Sequence, residues 1–162
     1  TVACLRDGER FNLARATGGR TVVVDAGMDH RPSLYDMATG RALLAFATDD
    51  QLAAVLDRHG LPDAAWPEVR GRRDLARRLG EIRKSGFARC RAAGGEAESL
   101  AAPVVGPDGS AWAAIGVSVP VYRLNAKRRD EIVEALQDAA RRMAGELALR
   151  SGEGPVPGEG TP

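Results

Sequence analysis

Residues Leu100 to Leu124, LAAPVVGPDGSAWAAIGVSVPVYRL, decide how this chain is read. Pro107, Asp108 and Gly109 are turn residues, because proline presets φ and glycine accepts positive φ, and the flanking runs Ala101 to Val105 and Ala111 to Val119 have strand composition. The segment predicts a hairpin. Its second arm carries Ala113, Ala114, Gly116 and Ser118, which leave little side-chain volume on a strand otherwise suited to burial. Small residues on a core strand admit a close backbone neighbour or a ligand. For any one position taken alone, a packed helix is the plainer account.

Before this hairpin the chain alternates strand and helix signals. Phe11 to Thr17 and Thr21 to Ala26 have strand character on either side of Gly18-Gly19, predicting another hairpin, and Asp29 to Asp36 is a polar loop. Ala38 to Ala47 is rich in Ala and Leu and predicts a helix. Thr48 opens a second helix with a capping box closed by Gln51 and with Asp49 and Asp50 in the first turn, running to about His59 and stopped by Gly60. Leu61 to Gly71 is an ordered loop anchored by Trp66. Leu75, Leu79 and Ile82 give a third helix one apolar face, ended by Gly86, and Phe87 to Arg91 is a short strand followed by a weakly structured stretch through Glu98. After the hairpin, Asn125 caps a long helix whose stripe is Ile132, Leu136, Ala139 or Ala140, Met143 and Leu147. Ser151 to Pro162 is Gly, Pro and Glu with little to bury, so residues 1–150 form one domain and 151–162 a disordered tail. Antiparallel hairpins around a helical excursion describe an α+β sensor module.

Composition narrows the partners. The chain has 162 residues, 44% of them hydrophobic, enough for a core, and its 23 basic and 22 acidic side chains leave a net charge of +1. No overall field favours nucleic acid through phosphate neutralisation. Cys4 and Cys90 are too few for a disulfide framework and fit a reducing cytoplasm, and the longest strongly apolar block, Ala42 to Ala47, is too short to span a bilayer. The expectation is a soluble cytoplasmic domain with no membrane partner.

The chain has no G-x-G-x-x-G, Walker, H-E-x-x-H or G-x-S-x-G motif, which weighs against nucleotide-dependent and common hydrolytic enzymes. His30 and His59 lie far apart without ligands at metal spacing, so no metal is expected, and His59 suits a helix C-terminus. His30 with Asp29, Ser33 and Asp36 is ordinary loop composition before it is a catalytic cluster. Cys90 is a redox nucleophile only if Arg89 and Arg91 lower its pKa, and strand alternation turns those arginines to the other face. Arg70, Arg72, Arg73, Arg77 and Arg78 form a basic run diluted by Asp74 and Glu81, which reads as a solvated face before an anion site. Lys127, Arg128 and Arg129 oppose the dipole of the last helix and call for acidic partners.

Taken together, ATGRALLAF (Ala38 to Phe46), the helix ending in Lys84-Ser85-Gly86-Phe87-Ala88, the stretch Leu100 to Leu124 and the final helix resemble the effector-binding domain of IclR-family bacterial transcription regulators. The likeness runs from about Phe11 to Leu149, in order and at similar spacing. It implies a GAF/PAS-like antiparallel sheet flanked by helices with a long C-terminal helix, sensing a small molecule and assembling as a homodimer or homotetramer. DNA would be bound only by a winged helix-turn-helix module that this sequence does not carry. Transferred by position, the effector pocket falls on Ala38, Thr39, Cys90, Ser99, Gly116 and Ser118. Cys90 stands where the family often has an acidic residue, Ser99 where it often has Cys, Gly116 where it has the first Ser of a Ser-x-Ser pair, and Arg91 to Glu98 is a residue shorter. Fewer polar anchors suit an aromatic or longer compound, while helix amides near Ala38 to Gly40 can hold a carboxylate. Such a domain needs no cofactor and no catalytic residue. Two rivals are a thiol-dependent reductase using Cys90 with Cys4 as the resolving thiol, and a pure dimerisation domain whose pocket its own side chains fill.

Overall fold

The computed structural model describes residues 1–16, 34–92 and 94–151. In chain order these form β1 (Val2–Arg6), β2 (Glu9–Ala14), α1 (Ala38–Ala45), α2 (Asp49–His59), α3 (Arg72–Ser85), β3 (Ala88–Arg91), β4 (Ala97–Val105), β5 (Ala111–Pro120) and α4 (Ala126–Ser151). The strands make one antiparallel sheet in the order β2-β1-β5-β4-β3. The fold is α+β, with the long C-terminal helix expected from the sequence.

Local chemistry sets most boundaries as the sequence reading has them. Thr48 accepts from the Gln51 amide at 3.2 Å while Gln51 Oε1 accepts from the Thr48 amide at 3.0 Å, a complete capping box on α2. Gly86 closes α3 in the left-handed region at φ 73°, and Asn125 Oδ1 accepts from the Arg128 amide at 2.8 Å to start α4. Asp108 accepts from Ser110 inside the β4–β5 turn, where Gly109 has φ 82°. The basic run on α3 is ion-paired along its own surface, Arg77 with Asp74 and Glu81 and Arg78 with Glu81. Arg129 reaches from the first turn of α4 to buried Glu98 at 2.9 Å, the acidic partner its position calls for.

The structure opens on a hairpin that the sequence reading did not include. It is formed by β1 and β2 about Asp7-Gly8, whose φ values of 50° and 74° suit a two-residue turn with both φ positive. The strand expected over Phe11 to Thr17 shares only Phe11–Ala14 with β2, while Thr21 to Ala26 and Gly18-Gly19 lie outside the described residues. Gly8 is also required by packing, since a Cβ there would stand 3.0 Å from the Ala54 carbonyl oxygen of α2. His59 at the end of α2 hydrogen-bonds the Gly8 carbonyl at 2.9 Å. Two ends also shift: α1 stops at Ala45 as Phe46 leaves helical geometry, and β4 begins at Ala97, inside the stretch expected to lack structure.

The sheet carries a core on each face. Strand alternation sends Leu100, Ala102 and Val104 of β4 toward Leu136 and Ala140 of α4, with Ile132, Val133 and Met143 packed alongside. Ala3, Ala88, Cys90, Ala101 and Ala114 face the opposite way, against α1, Val55 of α2 and the Leu75, Leu79 and Ile82 stripe of α3. The small residues on that face let α1 lie close to the sheet. A register shift at Val104/Val105 lets Ala111 pack on the α1 side although Ala113 faces α4.

Candidate functional site

The α1 face is where the sequence-derived site residues fall. The register pairs Cys90 with Ser99, Ser99 with Ser118, and Ala101 with Gly116, so Cys90, Ser99, Gly116 and Ser118 share one side of three adjacent strands. The first turn of α1 lies over them. Ala38, Thr39, Ser99, Gly116 and Ser118 line one cleft with Thr1, Met37, Leu100 and Val117. Cys90 does not reach it.

The cleft has donors to spare and no carboxylate among its lining residues. α1 begins with Met37 as cap, no described side chain caps it, and its first intrahelical bond is Arg41 N–H to the Met37 carbonyl at 3.0 Å. The amides of Ala38, Thr39 and Gly40 precede that bond, and all three residues are buried. Thr39 is 5% exposed, and its Oγ1 has no hydrogen-bond partner among the described residues. Across the cleft the Ser99 hydroxyl donates to Ser118 Oγ at 3.2 Å. A helix N-terminus buried without a cap favours an acceptor, and its dipole favours a negative one. The cleft encloses about 40 Å³, room for a few waters.

Gly116 is small because α1 is close. A Cβ there would stand 2.8 Å from the Thr39 methyl and 2.9 Å from the Leu100 carbonyl oxygen. In this structure the packed helix, the plainer of the two accounts, fills the space in front of Gly116.

Cys90 is a buried thiol set for structure. Its Sγ donates to the Asp36 carbonyl at 2.9 Å, and burial pushes its pKa up, reinforced by Asp36 and Glu68 and only partly opposed by Arg41. That environment disfavours the thiolate a redox nucleophile needs. Cys4 neighbours Ala3, whose side chain is on the α1 face, so Cys4 points to the other face, three strand spacings from Cys90 or about 14 Å. The pair lies beyond disulfide reach.

Two arginines escaped the sequence reading. Arg41 of α1 donates through Nε to the Tyr35 carbonyl (2.6 Å), through Nη1 to Arg89 (3.1 Å) and through Nη2 to Ala65 (3.0 Å), while its guanidinium stacks 4.1 Å from the Trp66 ring centroid. It ties α1 to two loops and to edge strand β3 beside a groove of about 280 Å³ lined by Trp66, Glu68, Arg78 and Phe87. A charge in the apolar block ATGRALLAF was the signal for it. Arg10 of β2 is 4% exposed, and no sequence pattern pointed to its burial.

The sequence pattern described as the bacterial transcriptional regulator IclR C-terminal domain matches residues 2–144. The chain belongs to the IclR C-terminal family. Solved structures repeat the fold. A transcriptional regulator from Rhodococcus sp. RHA1 superposes with a TM-score of 0.74 at 25% identity, covering 91% of this chain and 60% of that one. The C-terminal domain of the E. coli regulator KdgR gives 0.70 at 21% identity, over 90% of this chain and 85% of that chain. The inducer-binding domain of Acinetobacter PobR, a double mutant solved with 3-hydroxybenzoic acid, gives 0.70 at 19%, covering 88% and 85%. No curated protein sequence matches. This IclR-type domain thus spans about three-fifths of the Rhodococcus regulator. No described helix is long and apolar enough to cross a membrane.

Proposed function

We propose that this IclR-type domain senses a small molecule between the first turn of α1 and strands β4 and β5, as the non-catalytic part of a cytoplasmic regulator that contacts DNA elsewhere. The observation that carries the reading is the buried, uncapped N-terminus of α1 with Thr39 Oγ1 left unpartnered above the Ser99–Ser118 pair. A carboxylate or carbonyl oxygen of the effector accepts from the α1 amides and from Thr39, and an aromatic or aliphatic body lies between Met37 and Gly116. The inducer-binding domain of PobR, crystallised with a hydroxybenzoic acid, supports an acid of this kind. Ala38, Thr39, Ser99, Gly116 and Ser118 are contact residues in this reading; Cys90 supports the cleft from behind by holding the Asp36 carbonyl.

A cleft of about 40 Å³ admits no organic acid without movement. Binding therefore separates Met37 and the first turn of α1 from β5, and effector shifts the population between closed and open forms. Strands β2 and β3 end the sheet and offer edges for a homodimer or homotetramer, through which opening would alter assembly.

Thermal melts with benzoate, 3-hydroxybenzoate and succinate test this reading. The wild type should gain stability with at least one acid. Thr39→Val should fold as well as wild type, because the hydroxyl it removes has no partner, yet lose about tenfold in affinity with the hydrogen bond to the bound acid. No gain with any of the acids, or equal affinity in Thr39→Val, would count against it.

A further inference from the structure

Arg10 lacks a counter-ion at contact distance among the described residues. It lies on β2 opposite Leu5, which packs against the α1-side core, so its side chain is on the same face of the sheet as the cleft. Nη1 donates to Asn12 Oδ1 at 2.7 Å, which bends the guanidinium along β2 toward the register of Ala3. Nε and Nη2 are buried and have no hydrogen-bond partner among the described residues. No described carboxylate forms an ion pair with Arg10; the charge of Asp36, just ahead of α1, is felt without contact, and burial lowers the guanidinium pKa. Burying a guanidinium with two open donors is costly enough that a protein keeps one only where something else satisfies it.

We propose that Arg10 is the counter-ion for an anionic group, a carboxylate or a phosphate, of a ligand bound on the α1 side of the sheet. Nε and Nη2 form one edge of the guanidinium fork, the edge that takes an oxyanion through two parallel hydrogen bonds, while Asn12 holds the other side in place. Of the buried polar atoms left open among the described residues, Nε and Nη2 of Arg10 and Oγ1 of Thr39 then belong to one acidic ligand, and Arg78 Nε on α3 stands apart from it. That identification of the ligand rests on the effector reading; the charge site stands on Arg10 alone.

The test compares wild type, Arg10→Met, Arg10→Gln and Thr39→Val in thermal melts with inorganic phosphate and with benzoate, at constant ionic strength set by chloride. Wild type should melt higher with one of the two anions. Arg10→Met and Arg10→Gln should fold, with the Met variant melting at or above the anion-free wild type, and should lose that gain at least about tenfold in midpoint concentration. A matching loss of the gain in Thr39→Val joins Arg10 to the cleft. Its survival there, with loss in the Arg10 variants, keeps the anion site and overturns the cleft as its location. No gain for wild type with either anion, or an undiminished gain in both Arg10 variants, overturns the proposal.

Discussion

Gly40→Ala should destabilise the domain by more than about 3 kcal/mol, the largest effect expected of any one-carbon change here. The added Cβ would stand 2.0 Å from the Leu34 carbonyl oxygen and 2.9 Å from its Cα, so backbone and not a mobile side chain is in the way. Leu34 is 2% exposed and α1 is buried along nearly its whole length, so neither can retreat without opening the core beneath. At about 2–4 °C per kcal/mol for a chain of this size, the melt should fall by at least about 6 °C. Helix propensity alone predicts the opposite sign, because alanine favours a helix interior by about 1 kcal/mol over glycine. A melt equal to or above that of wild type would show that Leu34 does not lie against α1 as described.

Arg41→Ala should cost about 2–4 kcal/mol, measured by urea unfolding. The loss has three parts: the carbonyls of Tyr35, Ala65 and Arg89 lose their charged donor, Trp66 loses its stacked guanidinium, and the aliphatic stem no longer covers the core. Arg41→Lys should recover little of this, since one ammonium cannot span three carbonyls held by a planar fork. Recovery to the wild-type midpoint by lysine would mean that only the charge mattered.

These two residues also show how much the sequence made legible. The block from Ala38 to Phe46 identifies a helix from composition, and the small residues on β5 signalled close packing without saying which helix supplies it. Caps were readable because they are local: Thr48 with Gln51, Gly86 and Asn125 act within a few residues of themselves. The β1–β2 hairpin went unread because its signals are short. Asp7-Gly8 follows a five-residue strand too short to show alternation, and α2 packing on Gly8 is a tertiary contact no local window contains. Of the residues transferred by resemblance, Ala38, Thr39, Ser99, Gly116 and Ser118 line one cleft together. Cys90 shares their face yet is screened from the cleft, because it spends its thiol on the Asp36 carbonyl. Arg10 was not legible, because an arginine in sequence gives no sign of whether it will be buried without an acid, whereas the charge of Arg41 inside an apolar block was a signal left unread.

The central claim is that a small acid enters between the first turn of α1 and strands β4 and β5. Amide NMR shifts recorded during titration with benzoate and 3-hydroxybenzoate test it most directly. Saturable changes should centre on Ala38, Thr39, Gly40, Ser99, Gly116 and Ser118, and should need about tenfold more acid in Thr39→Val. Changes centred instead on Trp66, Arg78 and Phe87, in the groove beside Arg41, would contradict it.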